Sequence, residues 1–464
     1  MLSIYTCRLP AQTRLPVADP FKQRSIGQLP VITRPVPSEF SHLGPAPLVN
    51  IQPSVIDHQL YNNYNNISEQ NRMILQQHGL IPGQGGNAQQ VQQFAEIERD
   101  LLETEFYRKH LEWMEQTKYY RFAFEQLSTF NPDEFSLTNA VYFIENAYIN
   151  NRISYQDFIR AIKQRADLVK QIIKREKLNS KDNLSLNFAI QELFKHSNSY
   201  YNTQSKQSIT IPPIKYDFAD FRGEKDYRQV MVSKMLATGS GQCHSMPLGY
   251  LMIAEQLGAK AWLSLAPQHS FIQFKDGKGR LTLFETTNGN YVSSSWMIQS
   301  GFINSKALQN HSYLDTLSSR QLYAQCLADL LLGYLHKFGY DDYADNIRQS
   351  IVKMNPANMI AAIVDAQHKQ DIALQMLQKA GRPSIDKLPN YPEAYNAYLS
   401  MQEAIEKVDN LGYQDMPAEA YAKWLQSIES EKKKQQNKAL NEQMAGEIHQ
   451  LRMIKTPLKT TIKK

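Results

Sequence analysis

The chain has 464 residues, which at about 150 residues per domain suggests roughly three domains. It is 42% hydrophobic and 21% charged, with a mean hydropathy of −0.49, so it can bury at least one sizeable core while some segments stay too polar to join it. The formal net charge of +6 is too small an excess on a chain of this length to argue for nucleic acid binding.

The net charge comes from the C-terminal tail. Residues 431–464 hold nine basic and three acidic residues, whereas residues 1–430 are neutral overall. The glutamine and asparagine content of this tail favours a solvated, partly helical end over a surface for nucleic acid or acidic lipid. We therefore expect no nucleic acid partner.

The cysteines and the apolar runs limit the class of protein further. Three cysteines, Cys7, Cys243 and Cys326, exclude a disulfide-stapled scaffold and an all-cysteine metal site. No window approaches 18 consecutive apolar residues, so we expect no transmembrane segment. No signal peptide is visible, although residues 1–7 would fit the stub of one if the chain began upstream. We favour an exported bacterial protein, periplasmic or secreted, with a cytoplasmic protein as the alternative.

The first two predicted regions differ sharply in composition. Residues 1–87 contain nine prolines before residue 54 and then Asn-, Gln- and Gly-rich stretches, which predicts a largely extended or disordered arm. Residues 88–198 are predicted to be helical, because apolar residues recur at helical spacing. The stripes are Ile97, Leu101, Leu102, Phe106 and Leu111; then Phe143, Ile144, Ala147 and Tyr148; then Phe158, Ile159, Ile162, Leu168, Ile172 and Ile173.

Residues 199–310 are predicted to form a small α+β core. A helix through Tyr227–Met235 is followed by a second over residues 243–257, which ends at Gly258. Short strands then alternate with turn residues, including the hairpin-type turn Asp276-Gly277-Lys278-Gly279. The predicted strands are Ala261–Ala266, Ser270–Phe274 and Leu281–Glu285.

Residues 311–430 are predicted to be helical again, followed by the basic tail at 431–464. One stretch resembles a single tetratricopeptide unit, but about three such units are needed for a stable solenoid, so we expect a helical bundle packed on the core. This region is a candidate surface for a protein partner. The unit is carried by Leu332-Gly333, Leu335, Gly339-Tyr340, Ala344, Ile351 and Asn355-Pro356.

The segment Gly239-Ser-Gly-Gln-Cys-His-Ser-Met246 carries the most chemical information. Cys243 follows a flexible turn and opens a predicted helix, whose N-terminal partial positive charge favours thiolate over thiol. Two further residues are candidates for activating it. His269 stands directly before the predicted strand Ser270–Phe274 and would act as a base, and Glu285 on the adjacent antiparallel strand would orient the imidazole.

This ordered set resembles the transglutaminase-like superfamily, which shares a Cys-His-acid arrangement with papain-like proteases. The resemblance covers about residues 185–300, and its fold would be a helix carrying cysteine packed on antiparallel strands. The matching residues are Gly241-x-Cys243-x-Ser245, Leu251, Leu257-Gly258, Pro267-x-His269-x-Phe271 and Phe284-Glu285-x-Thr287, with Tyr216-Asp-Phe-Ala-Asp220 and Val232-x-Lys234 as the lead-in.

The resemblance implies that Cys243 forms a thioester, that His269 is first base and then acid, and that Glu285 orients His269. The family usually has aspartate, less often asparagine, at the third place, so the longer glutamate must be accommodated differently. Asn288 is the alternative orienting residue, and Gln242 is a candidate supporting residue beside the Cys243 backbone N–H as oxyanion donor. His244 and Ser245 are interpreted as helix-start neighbours.

These residues predict cysteine-dependent acyl transfer on peptide or protein amides by a peptidase, deamidase or transglutaminase-type enzyme. The substrate would be a protein or peptide, and no cofactor is expected. A metal site built on Cys243, His244 and His269 is disfavoured, because no paired-ligand spacing supports zinc. The alternative is a catalytically inactive transglutaminase-like protein that serves as an interaction scaffold.

Overall fold

The computed structural model describes residues 88–202, 206–220, 223–414 and 444–448. Over these residues the chain is α+β, mostly helical, with two small two-stranded sheets and one four-stranded sheet. The helices, α1 to α12 in chain order, are Ala88–Ser128, Leu137–Tyr148, Tyr155–Arg175, Asn183–Lys195, Val232–Thr238, Ser245–Leu257, Ser294–Ser300, Ser305–Gln309, Ser319–Phe338, Asp342–Met354, Met359–Lys379 and Pro392–Asn410. The strands, β1 to β8, are Asn198–Asn202, Gln207–Ile211, Lys215–Tyr216, Ser240–Gly241, Trp262–Ala266, His269–Lys275, Leu281–Glu285 and Asn290–Val292. Short 3₁₀ helices cover Tyr227–Val230 and Leu388–Asn390.

The contacts divide the described residues into two units, and the smaller contains residues 88–129 and 142–157. Its helix α1 confirms the predicted helix, but Phe106 of the expected apolar stripe is 67% exposed. The buried stripe lies in the C-terminal half of α1 instead, at Thr117, Tyr120, Ala123 and Leu127. Spacing alone located the helix but not the part of it that is covered.

The four-stranded sheet lies in the larger unit and is an antiparallel meander in the order β5-β6-β7-β8. It confirms the predicted strands and the predicted turn between β6 and β7. The Asp276 carboxylate closes that turn by accepting from the backbone N–H groups of Lys278 and Arg280 at 2.8 and 2.9 Å.

Helices cover both faces of this sheet. On one face, Phe284 and Tyr291 meet Phe194 of α4 and Tyr250 of α6 in an aromatic cluster with ring centroids about 6 Å apart. The opposite face belongs to a cluster that includes residues of α7, α8, α11 and α12. Because strand residues alternate between faces, this burial on both sides explains why β6 is almost continuously apolar from Phe271 to Phe274.

The segment before Cys243 departs from prediction. The single helix expected over Tyr227–Met235 is a 3₁₀ turn followed by α5, with an extended break at Met231 (φ −81°, ψ 145°). Helix α6 begins at Ser245, two residues after the cysteine that was expected to open it, and ends at Gly258 as predicted. The two parallel residue pairs between β3 and β4 were not predicted.

The C-terminal region forms two helical pairs, α9 with α10 and α11 with α12. The repeat-like residues fall on α9 and α10, and Tyr334 of α9 donates a 2.5 Å hydrogen bond to Asp341, the N-cap of α10. Farther on, residues 444–448 form a helical turn that buries Met444 and Ile448, and Glu447 accepts from Arg280 at 3.2 Å. Part of the basic tail is therefore folded onto the β6–β7 turn.

The predicted arm at 1–87, the end of the helical region predicted at 311–430 and most of the basic tail lie outside the described residues. Within the described part of the chain, no helix is both long and apolar enough to span a bilayer.

Candidate active site

The loop that carries Cys243 is held by close backbone packing. A Cβ on Gly241 would lie 2.8 Å from the Ser245 hydroxyl and from the Met235 side chain, so only glycine fits there. One residue later, the Gln242 N–H donates to the Ser245 hydroxyl at 2.9 Å, and the Met246 N–H donates to the Gln242 carbonyl at 2.9 Å. These bonds place Cys243 at the entry of α6, and its side chain is partly exposed.

Residues 217–220, which follow β3 and are called the acidic-aromatic loop below, support the segment that carries Cys243. The carboxylate of Asp217 forms a 2.5 Å ion pair with Lys234, whose side chain is buried and also donates to the Ser240 carbonyl at 3.1 Å. Burial by itself raises the pKa of Asp217, but the bonds to Lys234 and Ala219 outweigh it and lower the pKa. The sequence motif that leads into the site is thus tied to the strand that precedes Cys243.

A two-residue turn positions His269 in the site. Ala266 and His269 are a directly opposed pair, so Pro267 and Gln268 form the turn between β5 and β6. Gln268 has φ of +54°, the conformation required at the third position of a type II turn whose second position is proline. His269 is consequently the first residue of β6 and is only 5% exposed.

Glu285 holds the imidazole. Its Oε2 lies 2.6 Å from His269 Nε2, and both side chains are fully buried. The other carboxylate oxygen accepts from the backbone N–H and the hydroxyl of Thr287 at 3.1 and 2.9 Å. Burial by itself lowers the pKa of His269, but the Glu285 charge and hydrogen bonds with Cys243 and Glu285 raise it to about 9.

The register of the sheet explains why this acid is a glutamate. The last β6–β7 pair joins Ile272 to Phe284, so one further step places Glu285 opposite Phe271 rather than opposite His269. His269 lies two residues farther along the same face, at a diagonal separation of about 7–8 Å between backbones. A glutamate spans this diagonal with one methylene more than an aspartate has.

Cys243 is the third member of this group of side chains. Cys243 is among the groups that raise the pKa of the His269 ring, so the two side chains lie close enough to interact. The thiol also lies 3.7 Å from the Gln268 carbonyl, which it can reach as a donor while protonated. The sequence-predicted Cys243, His269 and Glu285 are brought together in this order.

Ser270 is a site residue that sequence reasoning missed. Its hydroxyl donates to the Cys243 carbonyl at 2.5 Å, which ties the Cys243 backbone to the strand that carries His269. Ser270 is 7% exposed. The sequence feature that could have indicated this role is a polar residue in a buried strand, between His269 and Phe271.

We expect Ser270→Ala to slow alkylation of Cys243 by iodoacetamide about threefold to tenfold at pH 7, in line with the loss of about 1 kcal/mol of hydrogen bonding. The control is Ser264→Ala on β5, which loses a 2.7 Å hydrogen bond to the Asp315 carbonyl and the acceptor for the Gln273 amide at 2.8 Å. The control should lower the melting temperature at least as much and leave alkylation unchanged. Equal alkylation rates for the two variants would contradict a positioning role for Ser270.

The remaining predicted residues have other partners. The Gln242 amide donates to the Ala219 and Asp220 carbonyls at 3.4 and 3.2 Å, so it holds the acidic-aromatic loop rather than presenting a donor to a substrate oxygen. Asn288 accepts from the Asn290 N–H at 2.9 Å within the β7–β8 turn, and Glu285 is the group on the His269 ring. Ser245 supports the helix start as expected.

Among the residues that the structure describes, no group of three or more His, Cys, Asp or Glu side chains is arranged to hold a metal ion.

No protein-family model matches the chain, and comparison with curated proteins and with solved structures gave no match.

Proposed function

We propose that this protein is a cysteine-dependent acyl-transfer enzyme acting on peptide or protein amides, with a papain- or transglutaminase-like core. The observation that carries the proposal is the fully buried His269–Glu285 pair next to the partly exposed Cys243, whose thiol lies 3.7 Å from the Gln268 carbonyl and whose own carbonyl accepts from Ser270. A buried imidazole that is held by a carboxylate and lies next to a thiol is the arrangement that activates a cysteine nucleophile.

The electrostatics favour a thiolate–imidazolium pair. The Glu285 carboxylate stabilises the charged ring, and the charged ring in turn stabilises the deprotonated sulfur. Since the pKa of His269 is raised to about 9, the imidazolium persists through neutral pH and is lost as the pH rises through that value. Reactivity should therefore reach into the neutral and mildly acidic range, where an ordinary thiol is mostly protonated.

Acylation uses both members of the pair. The thiolate attacks the amide carbonyl carbon, a C–S bond forms, and the carbonyl electron pair moves to oxygen. On collapse the C–N bond breaks, and the amine leaves with the proton that His269 donates. The backbone N–H of Cys243 is the proposed donor to the developing oxyanion.

Deacylation decides among the reaction types. Water or a second amine attacks the thioester while His269 removes its proton, and the Cys243 thiolate leaves. Water gives a peptidase or a deamidase, whereas an amine gives a transglutaminase-type product. The helix α6 that follows Cys243 and the antiparallel strands β6 and β7 that carry His269 and Glu285 support the proposed type of core.

The test is the pH dependence of Cys243 alkylation by iodoacetamide, followed by mass spectrometry of the Cys243 peptide. We expect the wild-type midpoint to lie well below the ordinary thiol value of about 8.5, and His269→Ala to move it back toward that value. At pH 6.5 the variant should label about tenfold more slowly, because raising the midpoint by about one pH unit lowers the thiolate fraction about tenfold in this range.

Cys243→Ser supplies the background for labelling at other cysteines. Cys326 should contribute little, since it is 1% exposed and burial raises the pKa of its thiol. An ordinary wild-type midpoint that His269→Ala leaves unchanged would refute the enzyme and favour the inactive scaffold.

A further inference from the structure

A second histidine adjoins the nucleophile, and its ring is bound on both sides. His244 directly follows Cys243 and forms the N-cap of α6. Its Nδ1 lies 3.1 Å from the Val230 carbonyl oxygen, in the 3₁₀ helix, and its Nε2 lies 3.1 Å from Asp329 Oδ1, on α9. The ring is thus held by two elements from outside its own helix.

The chemistry of these two partners fixes the protonation state of the ring. A carbonyl oxygen only accepts hydrogen bonds, so Nδ1 must carry a proton, and an ionised carboxylate likewise requires a proton on Nε2. Asp329 Oδ1 also accepts from the Gln325 amide at 3.2 Å. With both nitrogens protonated, His244 is an imidazolium.

The groups around the ring raise its pKa against the effect of burial. Burial by itself lowers the pKa of His244, but the Asp329 charge, the hydrogen bonds to Asp329 and Val230, and the nearby Cys243 raise it to about 9. These groups come from α9, from the 3₁₀ helix and from the residue before His244. A positive charge therefore stands one residue from the reacting sulfur at neutral pH.

This cation differs in role from His269. During acyl transfer His269 gives its proton to the leaving amine, so its charge disappears when the thioester forms. The two partners of His244 have no place in that transfer, and its proton stays on the ring throughout. A constant charge beside the sulfur would favour the thiolate both as the attacking group and as the leaving group in deacylation.

We propose, on the basis of the acyl-transfer function above, that His244 is a positioning residue whose imidazolium, held by Val230 and Asp329, stabilises the Cys243 thiolate independently of His269. The interaction also joins α9 to the start of α6, so a purely structural tether is the competing explanation. A tether would affect stability without changing the acidity of the thiol.

The experiment compares the pH profile of Cys243 alkylation and the melting temperature in four proteins: wild type, His244→Gln, His244→Arg and Asp329→Asn. His244→Gln keeps a hydrogen-bonding side chain without the charge, and Asp329→Asn removes the carboxylate that keeps the ring charged. In both we expect the alkylation midpoint to rise by about 0.5–1 pH unit, which slows labelling at pH 6 about threefold to tenfold. His244→Arg keeps a cation beside Asp329 and should restore the midpoint toward the wild-type value.

An unchanged midpoint in both His244→Gln and Asp329→Asn, with only a lower melting temperature, would overturn the proposal in favour of a tether. A raised midpoint that His244→Arg does not lower would also overturn it, since the effect would then not depend on charge. If one neutral variant fails to fold, the other decides the outcome. Failure of the acyl-transfer function is distinguishable, because the wild-type midpoint would then already be that of an ordinary thiol.

Discussion

Replacing Glu285 with alanine is expected to cost about 3–5 kcal/mol of folding free energy, the usual loss when one partner of a buried ion pair is removed. His269 would remain fully buried without its carboxylate, and burial alone lowers the pKa of the ring. Thr287 would also lose the acceptor for its N–H and hydroxyl. Urea denaturation at pH 7 measures the loss, and alkylation of Cys243 should slow in the same variant.

The pH dependence of stability gives an independent readout. A histidine whose pKa is raised on folding contributes stability that is present below about pH 6.5 and is lost as the pH rises through its folded value, about 9 for His269. The free energy of unfolding should therefore fall across this interval in the wild type and fall less in Glu285→Ala. His244 contributes a slope of the same sign in both proteins, so the slope should diminish rather than vanish.

Glu285→Asp is the sharper control. It keeps the charge but shortens the side chain by one methylene, so it should not bridge the diagonal from β7 to His269. We expect it to resemble Glu285→Ala in alkylation more than the wild type. Wild-type alkylation and stability in Glu285→Asp would show that the diagonal register does not set the choice of acid.

The second large effect is expected at Gly412, just after α12. A Cβ there would lie 2.3 Å from the backbone nitrogen of Ala307 and 2.6 Å from its Cα, and the glycine has φ of +86°. The Gly412 carbonyl also accepts from the Asn304 side chain at 3.0 Å, so this backbone contact cannot widen without cost. Gly412→Ala should lose about 2–5 kcal/mol from left-handed strain and overpacking together, measured by denaturation.

Gly258→Ala isolates the conformational part of that loss. Gly258 has a left-handed backbone at φ +67° and ψ 23°, but a Cβ there meets nothing within 4 Å. It should cost only about 1–2 kcal/mol. Equal losses at the two glycines would contradict the close approach between Gly412 and the start of α8.

The local pattern of the chain was sufficient to predict much of the core. Alternation and turn residues located β5, β6 and β7, because a hairpin is specified by a few adjacent residues. Glycine at the end of an apolar run located the C-terminus of α6. The order of Cys243, His269 and Glu285 could be predicted for the same reason, since each lies at the start or end of a recognisable element.

Contacts between distant segments could not be predicted in this way. Nothing local to Asp329 indicates that it reaches His244 across 85 residues, and nothing local to Ser270 indicates a bond to the Cys243 carbonyl. The prediction also put the buried apolar stripe in the wrong half of α1, because spacing defines an apolar face but not the neighbour that buries it.

The sequence by itself therefore determined the elements and the order of the three candidate side chains, because local backbone preference and short-range spacing encode both. Only the tertiary structure decided how the site is held: Glu285 reaches His269 across a strand diagonal, Ser270 holds the Cys243 backbone, and His244 lies between Val230 and Asp329. The physical reason is that hydrogen bonds and ion pairs depend on distances of about 3 Å, which are set by the packing of whole elements.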